Sequence, residues 1–181
     1  MMSKLRFLYL KNVNLRGSFE QTFENLRWLR WECCALKCLP SDFCPQKLVT
    51  LKLPHSEMRS LWELNMVFEK LMTLDMSFSL DFTVTPDFTR LSRLETLNLK
   101  GCKSLRELHV SIGCLASLVS LNLGGCVNLR SLPHNISNLS ALKSLNIDDC
   151  SALKRSLTEV NMWGLTVWKL PISIGRLSKL V

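Results

Sequence analysis

No stretch of this 181-residue chain is apolar for long enough to cross a bilayer. The longest run free of Asp, Glu, Lys and Arg extends from Leu108 to Leu129. It is broken by His109, Ser111, Ser117, Ser120, Asn122 and Asn128, whereas a spanning helix needs about 20 mostly apolar residues. β-Branched aliphatics are scarce too. Val and Ile together supply 15 residues against 37 Leu, which argues against an ordinary β-sandwich or barrel, whose strands favour Val, Ile and Thr. Lys and Arg never occur more than two in succession, although the formal charge is +8. A basic balance of that kind permits contact with nucleic acid or an anionic surface without requiring it. The opening Met1-Met2-Ser3-Lys4-Leu5 leads into alternating apolar and polar residues and lacks the continuous apolar core of a secretory signal. At 47% hydrophobic and 21% charged, the chain is too apolar to be disordered.

What the sequence has in abundance is self-similarity. Leu5-x-x-Leu8-x-Leu10 recurs as Leu26-x-x-Leu29-x-Trp31, Leu48-x-x-Leu51-x-Leu53 and Leu71-x-x-Leu74-x-Met76. It continues as Leu94-x-x-Leu97-x-Leu99, Leu118-x-x-Leu121-x-Leu123 and Leu142-x-x-Leu145-x-Ile147, with starts 21, 22, 23, 23, 24 and 24 residues apart. Eight residues after each start stands Val13, Cys34, Ser56, Ser79, Cys102, Cys126 or Cys150. This is the template of the leucine-rich repeat. It predicts an α/β repeat solenoid, a horseshoe with one short parallel strand per repeat and irregular, 3-10 or short helical convex segments. One unit cannot bury its leucines alone; stacking successive units hides them. The convex half reads Leu36-Lys-Cys-Leu39-Pro40-Ser-Asp-Phe43 in one repeat and Leu129-Arg-Ser-Leu132-Pro133-His-Asn-Ile136 in another. Proline there fixes φ and removes a donor, which suits an irregular or 3-10 segment.

The period slips near the end. Leu157-x-x-Val160-x-Met162 begins only 15 residues after Leu142, and Leu180 starts a further unit. The sequence therefore predicts one domain over residues 1–181, about eight repeats, irregular near 153–170. Neither end carries the polar terminal unit that a solenoid needs, so the chain reads as part of a longer protein.

Catalytic and metal-binding readings find little support. Cys34, Cys102, Cys126 and Cys150 share one repeat position, so their spacing is the structural period and predicts small buried side chains bonded to loop backbone. Cys33, Cys38, Cys44 and Cys114 include no Cys-x-x-Cys pair and no matching His pair for zinc. A chain rich in free thiols fits a reducing compartment. His55, His109 and His134 lie in different repeats without a nucleophile motif. No enzymatic activity, metal or cofactor is expected. Asp148-Asp149 flanks a turn, and the sequons at Asn135 and Asn138 would be inert in a cytosolic chain.

The concave sheet is the better functional surface. Its central outward positions are Tyr9, Arg30, Lys52, Asp75, Asn98, Asn122, Asn146 and Asn161, with Trp28, Glu32, Lys11, Lys100 and Asp148 beside them and His55 and Phe78 at strand ends. Aromatic and Arg side chains are the usual interface anchors. The candidate partner-binding set is thus Tyr9, Trp28, Arg30, Lys52, His55, Asp75, Phe78, Asn98, Lys100, Asn122 and Asn146. Trp31 takes a core leucine position and should be buried.

The wording of individual repeats is more specific than the period. Asn25-Leu-Arg-Trp-Leu-Arg-Trp31, Leu36 to Phe43, Pro45-x-Lys-Leu-Val-x-Leu-x-Leu-Pro54-x-Ser56 and Leu61-Trp62-Glu63 form one phrase. It resembles the repeat region of plant TIR-type nucleotide-binding leucine-rich-repeat disease-resistance proteins. Thr85-Pro-Asp-Phe88, Leu94 to Leu105, Ser111-Ile-Gly113 and Leu170-Pro-Ile-Ser-Ile-Gly175 resemble the same family. The resemblance implies a non-enzymatic protein-interaction module of an intracellular immune receptor, cytoplasmic or nuclear. Such a module senses a pathogen effector or a guarded host protein, or contacts other domains of its parent, and contributes to autoinhibition. The phosphate loop of such receptors has no counterpart here: Gly101-Cys102-Lys103-Ser104 has Cys between Gly and Lys. Nucleotide binding therefore does not transfer. The competing reading is a nucleic-acid or anionic-surface binder, resting on net charge alone, and steep salt dependence would distinguish it.

Overall fold

Seven strands form in register with the leucine period in the computed structural model, which describes residues 4–15, 17–19, 22–61 and 68–153. They are β1 (Phe7–Lys11), β2 (Trp28–Glu32), β3 (Thr50–Lys52), β4 (Thr73–Asp75), β5 (Thr96–Asn98), β6 (Ser120–Asn122) and β7 (Ser144–Asn146). All pair in parallel, in chain order, as one sheet. Leu8, Leu29, Leu51, Leu74, Leu97, Leu121 and Leu145 stand opposite one another across that sheet. The irregular unit expected near 153–170, the later repeats and Asn161 lie outside the described residues.

Alternation along each strand sends the leucines inward. Leu26, Leu48, Leu71, Leu94 and Leu118 are buried in one row; Trp31, Leu53, Met76, Leu99 and Leu123 are buried in another. Leu5, Leu8 and Leu10 pack on the same core but remain partly exposed, because among the described residues the first strand has a neighbour on one side only. Trp31 is 1% exposed, as its leucine position predicts. Its indole N–H donates to the Val13 carbonyl at 3.0 Å, so the larger ring brings no unsatisfied donor inside.

The convex side follows the prolines. Phe43 N–H donates to the Pro40 carbonyl at 2.9 Å, and Ile136 N–H to Pro133 at 3.0 Å. The second of these turns extends into a 3-10 helix over His134–Asn138; a matching one runs over Val110–Cys114, capped by the His109 side chain. Phe19, Phe23 and Phe43 pack edge-on or tilted, with centroids 5.6 to 6.0 Å apart, and close the convex side of the early repeats.

A polar ladder crosses this core. The thiols of Cys102, Cys126 and Cys150 donate to the carbonyls of Met76, Leu99 and Leu123, at 3.2, 3.1 and 3.1 Å. In the same position Ser79 donates to Leu53 at 3.3 Å, and its hydroxyl lies 2.8 Å from that of Ser56. Burial pushes the thiols up from an ordinary 9.0, Cys34 to about 11 and Cys102 to about 12, with Cys126 raised as well.

Two predictions follow from the packing. Leu97→Ala should cost about 2–5 kcal/mol in urea unfolding, as buried leucine truncations do; a loss near zero would mean the strand register is wrong. The buried thiols set the second. The folded state keeps their protons while the unfolded chain sheds them above pH 9. Stability should therefore hold below that pH and fall as pH rises toward 12. Serine occupies the same ladder position and does not titrate there, so C102S/C126S should show a shallower decline in urea midpoint between pH 9 and pH 11.

Candidate functional site

Each strand is followed by one residue in the left-handed region. The series is Asn12, Cys33, His55, Phe78, Gly101, Gly125 and Asp149, with φ between 54° and 76°. Each immediately precedes the repeat position that holds Val13 in the first repeat and the Cys/Ser ladder in the rest. In the first six of them the N–H donates onward to the next repeat. Asn12 donates to Glu32, Cys33 to Pro54, His55 to Ser77, Phe78 to Lys100, Gly101 to Gly124 and Gly125 to Asp148, at 2.7 to 3.1 Å. The chain turns away from the sheet at these points, and the hydrogen bond fixes the turn.

The row of central outward side chains stands where the period puts it. Tyr9, Arg30, Lys52, Asp75, Asn98, Asn122 and Asn146 are Cα partners across successive strands. Its later half has a structural task that the sequence did not announce. Asp75, Asn98, Asn122 and Asn146 each accept the backbone N–H two residues on, from Ser77, Lys100, Gly124 and Asp148, at 2.8 to 3.2 Å. Asn98 also donates its amide N–H to Asp75 at 3.1 Å. These side chains brace the strand-end turns.

The earlier half is aromatic and charged. Phe7 and Tyr9 on β1 are 67% and 54% exposed, and Trp28 is the Cα partner of Phe7. Phe7 was not among the sequence candidates, although its place two residues after Leu5 matches that of Trp28 after Leu26. Arg30 is held by Glu32, its Nε 2.6 Å and Nη2 2.5 Å from one carboxylate oxygen; Lys11 reaches the other at 3.8 Å. Chiefly the Arg30 hydrogen bond keeps the Glu32 carboxyl below its usual range. The positive charge of Arg30 beside Trp28 is therefore partly neutralised by Glu32.

His55 and Phe78 come together at the strand-end rim. Their rings stack with centroids 5.0 Å apart and planes 7° from parallel. Lys100 Nζ sits 5.9 Å from the Phe78 centroid, close enough for a cation–π contact. The opposite neighbour is Gly101. A Cβ built there would meet the Phe78 ring at 2.5 Å, so the ring lies on bare backbone. Beyond it Gly124 and Gly125 continue a floor without side chains. Phe78 remains 40% exposed. The rim thus offers an aromatic surface flanked by a cation and seated on glycine main chain.

Elsewhere, the described residues hold no group of three or more His, Cys, Asp or Glu placed to bind a metal ion. No helix among them is long and apolar enough to cross a membrane. Cys33, Cys44 and Cys114 are exposed, each as a free thiol.

Comparison with known proteins agrees with this architecture. Residues 47–63 match the Leucine Rich Repeat family model. The TMV resistance protein N of Nicotiana glutinosa is 32% identical over 118 residues, 65% of this chain and 10% of that protein. Disease resistance-like protein DSC1 of Arabidopsis thaliana is 35% identical over 107 residues, covering 59% of this chain and 9% of its own length. Disease resistance protein RPV1 of Vitis rotundifolia is 37% identical over 101 residues, or 56% and 7%. The chain therefore spans about a tenth or less of these relatives. Among solved structures, the leucine-rich repeat domain of the type III effector XopL superposes with a TM-score of 0.60 at 24% identity, covering 83% of this chain and 63% of that one. A Leptospira interrogans LRR protein gives 0.52 at 27% identity, covering 71% and 38%. The fold is a leucine-rich-repeat solenoid. The resemblance of its repeats to those of plant TIR-type nucleotide-binding leucine-rich-repeat disease-resistance proteins is borne out by these relatives.

The turn-bracing row makes a prediction. Asn122→Ala should cost about 0.5–1.5 kcal/mol through the lost hydrogen bond to Gly124. Asn122→Asp, which keeps the acceptor as Asp75 does, should recover most of it. Equal losses in chemical denaturation would rule out the bracing role.

Proposed function

We propose that this chain is the protein-interaction module of a plant intracellular immune receptor, one leucine-rich-repeat domain acting without catalysis of its own. It senses a pathogen effector or a guarded host protein across the concave sheet and its strand-end rim. It also contributes to autoinhibition by contacting other domains of the parent receptor, in the cytoplasm or nucleus. The family similarity supplies the setting; the observation that carries the surface assignment is Phe78.

Glycine fills this left-handed position in the next two repeats, at φ 70° and 76°. A phenylalanine at φ 59° instead carries strain of order 1–3 kcal/mol and leaves a large ring partly in water. Stacking on His55 offsets some of that cost without hiding the ring. An exposed, firmly seated aromatic with the Lys100 ammonium nearby is the composition of an interface anchor. Phe7, Tyr9 and Trp28 extend the aromatic surface, and the sheet offers breadth for a macromolecule instead of a deep pocket for a metabolite.

Phe78→Gly makes the test clean, since it removes the ring and the strain together. Its thermal midpoint should stay close to wild type. Side-by-side affinity capture from plant cell extract, followed by titration of the purified partner, should show binding weakened tenfold or more by F78G, and weakened also by R30E. A partner bound equally by all three proteins would overturn the assignment to this face.

A further inference from the structure

The flank where the strands begin has a different chemistry from the rim where they end. Two turns there are pinned from below. Leu71 N–H donates to Phe68 at 3.0 Å, Leu91 to Phe88 at 2.9 Å and Leu94 to Leu91 at 2.8 Å, and all five of these side chains are buried. Phe88 N–H is fixed further by the Ser111 hydroxyl at 2.7 Å. Between these turns lies an open surface cleft of about 530 Å³, lined among the described residues by the exposed Glu69, Lys70, Arg90, Ser92 and Arg93. Three cations against one carboxylate give its lining a charge of 3 − 1 = +2. None of Lys70, Arg90 and Arg93 has an ion pair among the described residues. In the preceding repeat, by contrast, Lys47 is tied to Asn25 at 2.6 Å.

Like charges gathered on rigid turns repel one another unless an anion joins them. We propose that this cleft binds a phosphate monoester, held by the Lys70 ammonium and the Arg90 and Arg93 guanidiniums. A phosphoryl group carries about −1.5 to −2 at pH 7, which matches the lining. Guanidinium forks bond its oxygens in pairs, and the Ser92 hydroxyl can donate as well. The volume exceeds what one carboxylate fills and leaves room for the residue or small molecule that bears the phosphate. A +2 lining confined to one cleft also fits a single phosphoryl group better than the extended backbone of a nucleic acid, which needs a longer basic track.

The test is binding to the full chain of a labelled phosphoserine peptide, its serine and glutamate twins, and a DNA duplex, with inorganic phosphate as competitor. The phosphopeptide should bind at least about tenfold tighter than either twin. R90Q/R93Q should lower that affinity by about tenfold or more, and R90K/R93K, which keeps charge and loses the forks, should fall between. K70Q, a milder change, should weaken binding as well, and thermal midpoints should not move. F78G should leave phosphopeptide binding intact, which separates this cleft from the rim. Inorganic phosphate that competes as well as the peptide would identify a small phosphate as the ligand; weaker competition would identify a phosphorylated protein. A glutamate twin equal to the phosphopeptide, unchanged affinity in R90Q/R93Q and K70Q, or tighter binding of DNA through the same residues would overturn the proposal.

Discussion

The left-handed residue after each strand, whose N–H in the first six is given to the next repeat, is the constraint on which the architecture depends. A parallel sheet of three- to five-residue strands has too few ladder bonds to hold its own alignment. The strand-end hydrogen bond adds one fixed point per repeat. It brings the following residue inward, where its thiol or hydroxyl finds a carbonyl of the preceding repeat. Leucine burial then supplies most of the driving force, but in a register already set by polar contacts. The core is thus apolar in bulk and polar in its alignment.

Much of this was legible in the sequence, for a physical reason. Inward positions accept few side chains, so Leu29, Leu51, Leu74, Leu97 and Leu121 announce themselves by repetition. The shared position of Cys102, Cys126 and Cys150 announced a buried ladder, and Pro40 and Pro133 announced the convex turns. The left-handed row was not legible, because Asn12, Cys33, His55, Phe78, Gly101, Gly125 and Asp149 have no side-chain property in common. What they share is a backbone angle, and only Asn, Asp and Gly hint at it. The bracing role of Asn98, Asn122 and Asn146 was hidden for a related reason. An outward asparagine on a sheet looks free until its contact with the main chain two residues on is seen. Nor could the pairing of Arg30 with Glu32 be read from a pattern in which neither residue repeats.

The two edges of the sheet divide the chemistry of the surface. Where strands end, the chain is tightly turned at residues as different as glycine and asparagine, and at two of these turns the side chains are the stacked rings of His55 and Phe78. Where strands begin, the turns are anchored by buried phenylalanine and leucine and can carry long cationic side chains outward. At both edges the backbone turns are held by hydrogen bonds, so the ordering that binding requires falls on side chains and not on the main chain. A solenoid can in this way present separate recognition surfaces from one short repeat, with little structural interference between them.

The seating of the Phe78 ring on Gly101 also governs how such a surface can diversify. Any side chain introduced at position 101 collides with the ring as well as bearing the strain of φ 70°, while a smaller residue at 78 removes the collision and leaves the strain alone. Mutations at the two sites are therefore tolerated in one order and not the other. A lineage exploring new specificities here would have to surrender its aromatic before it could elaborate the adjacent repeat.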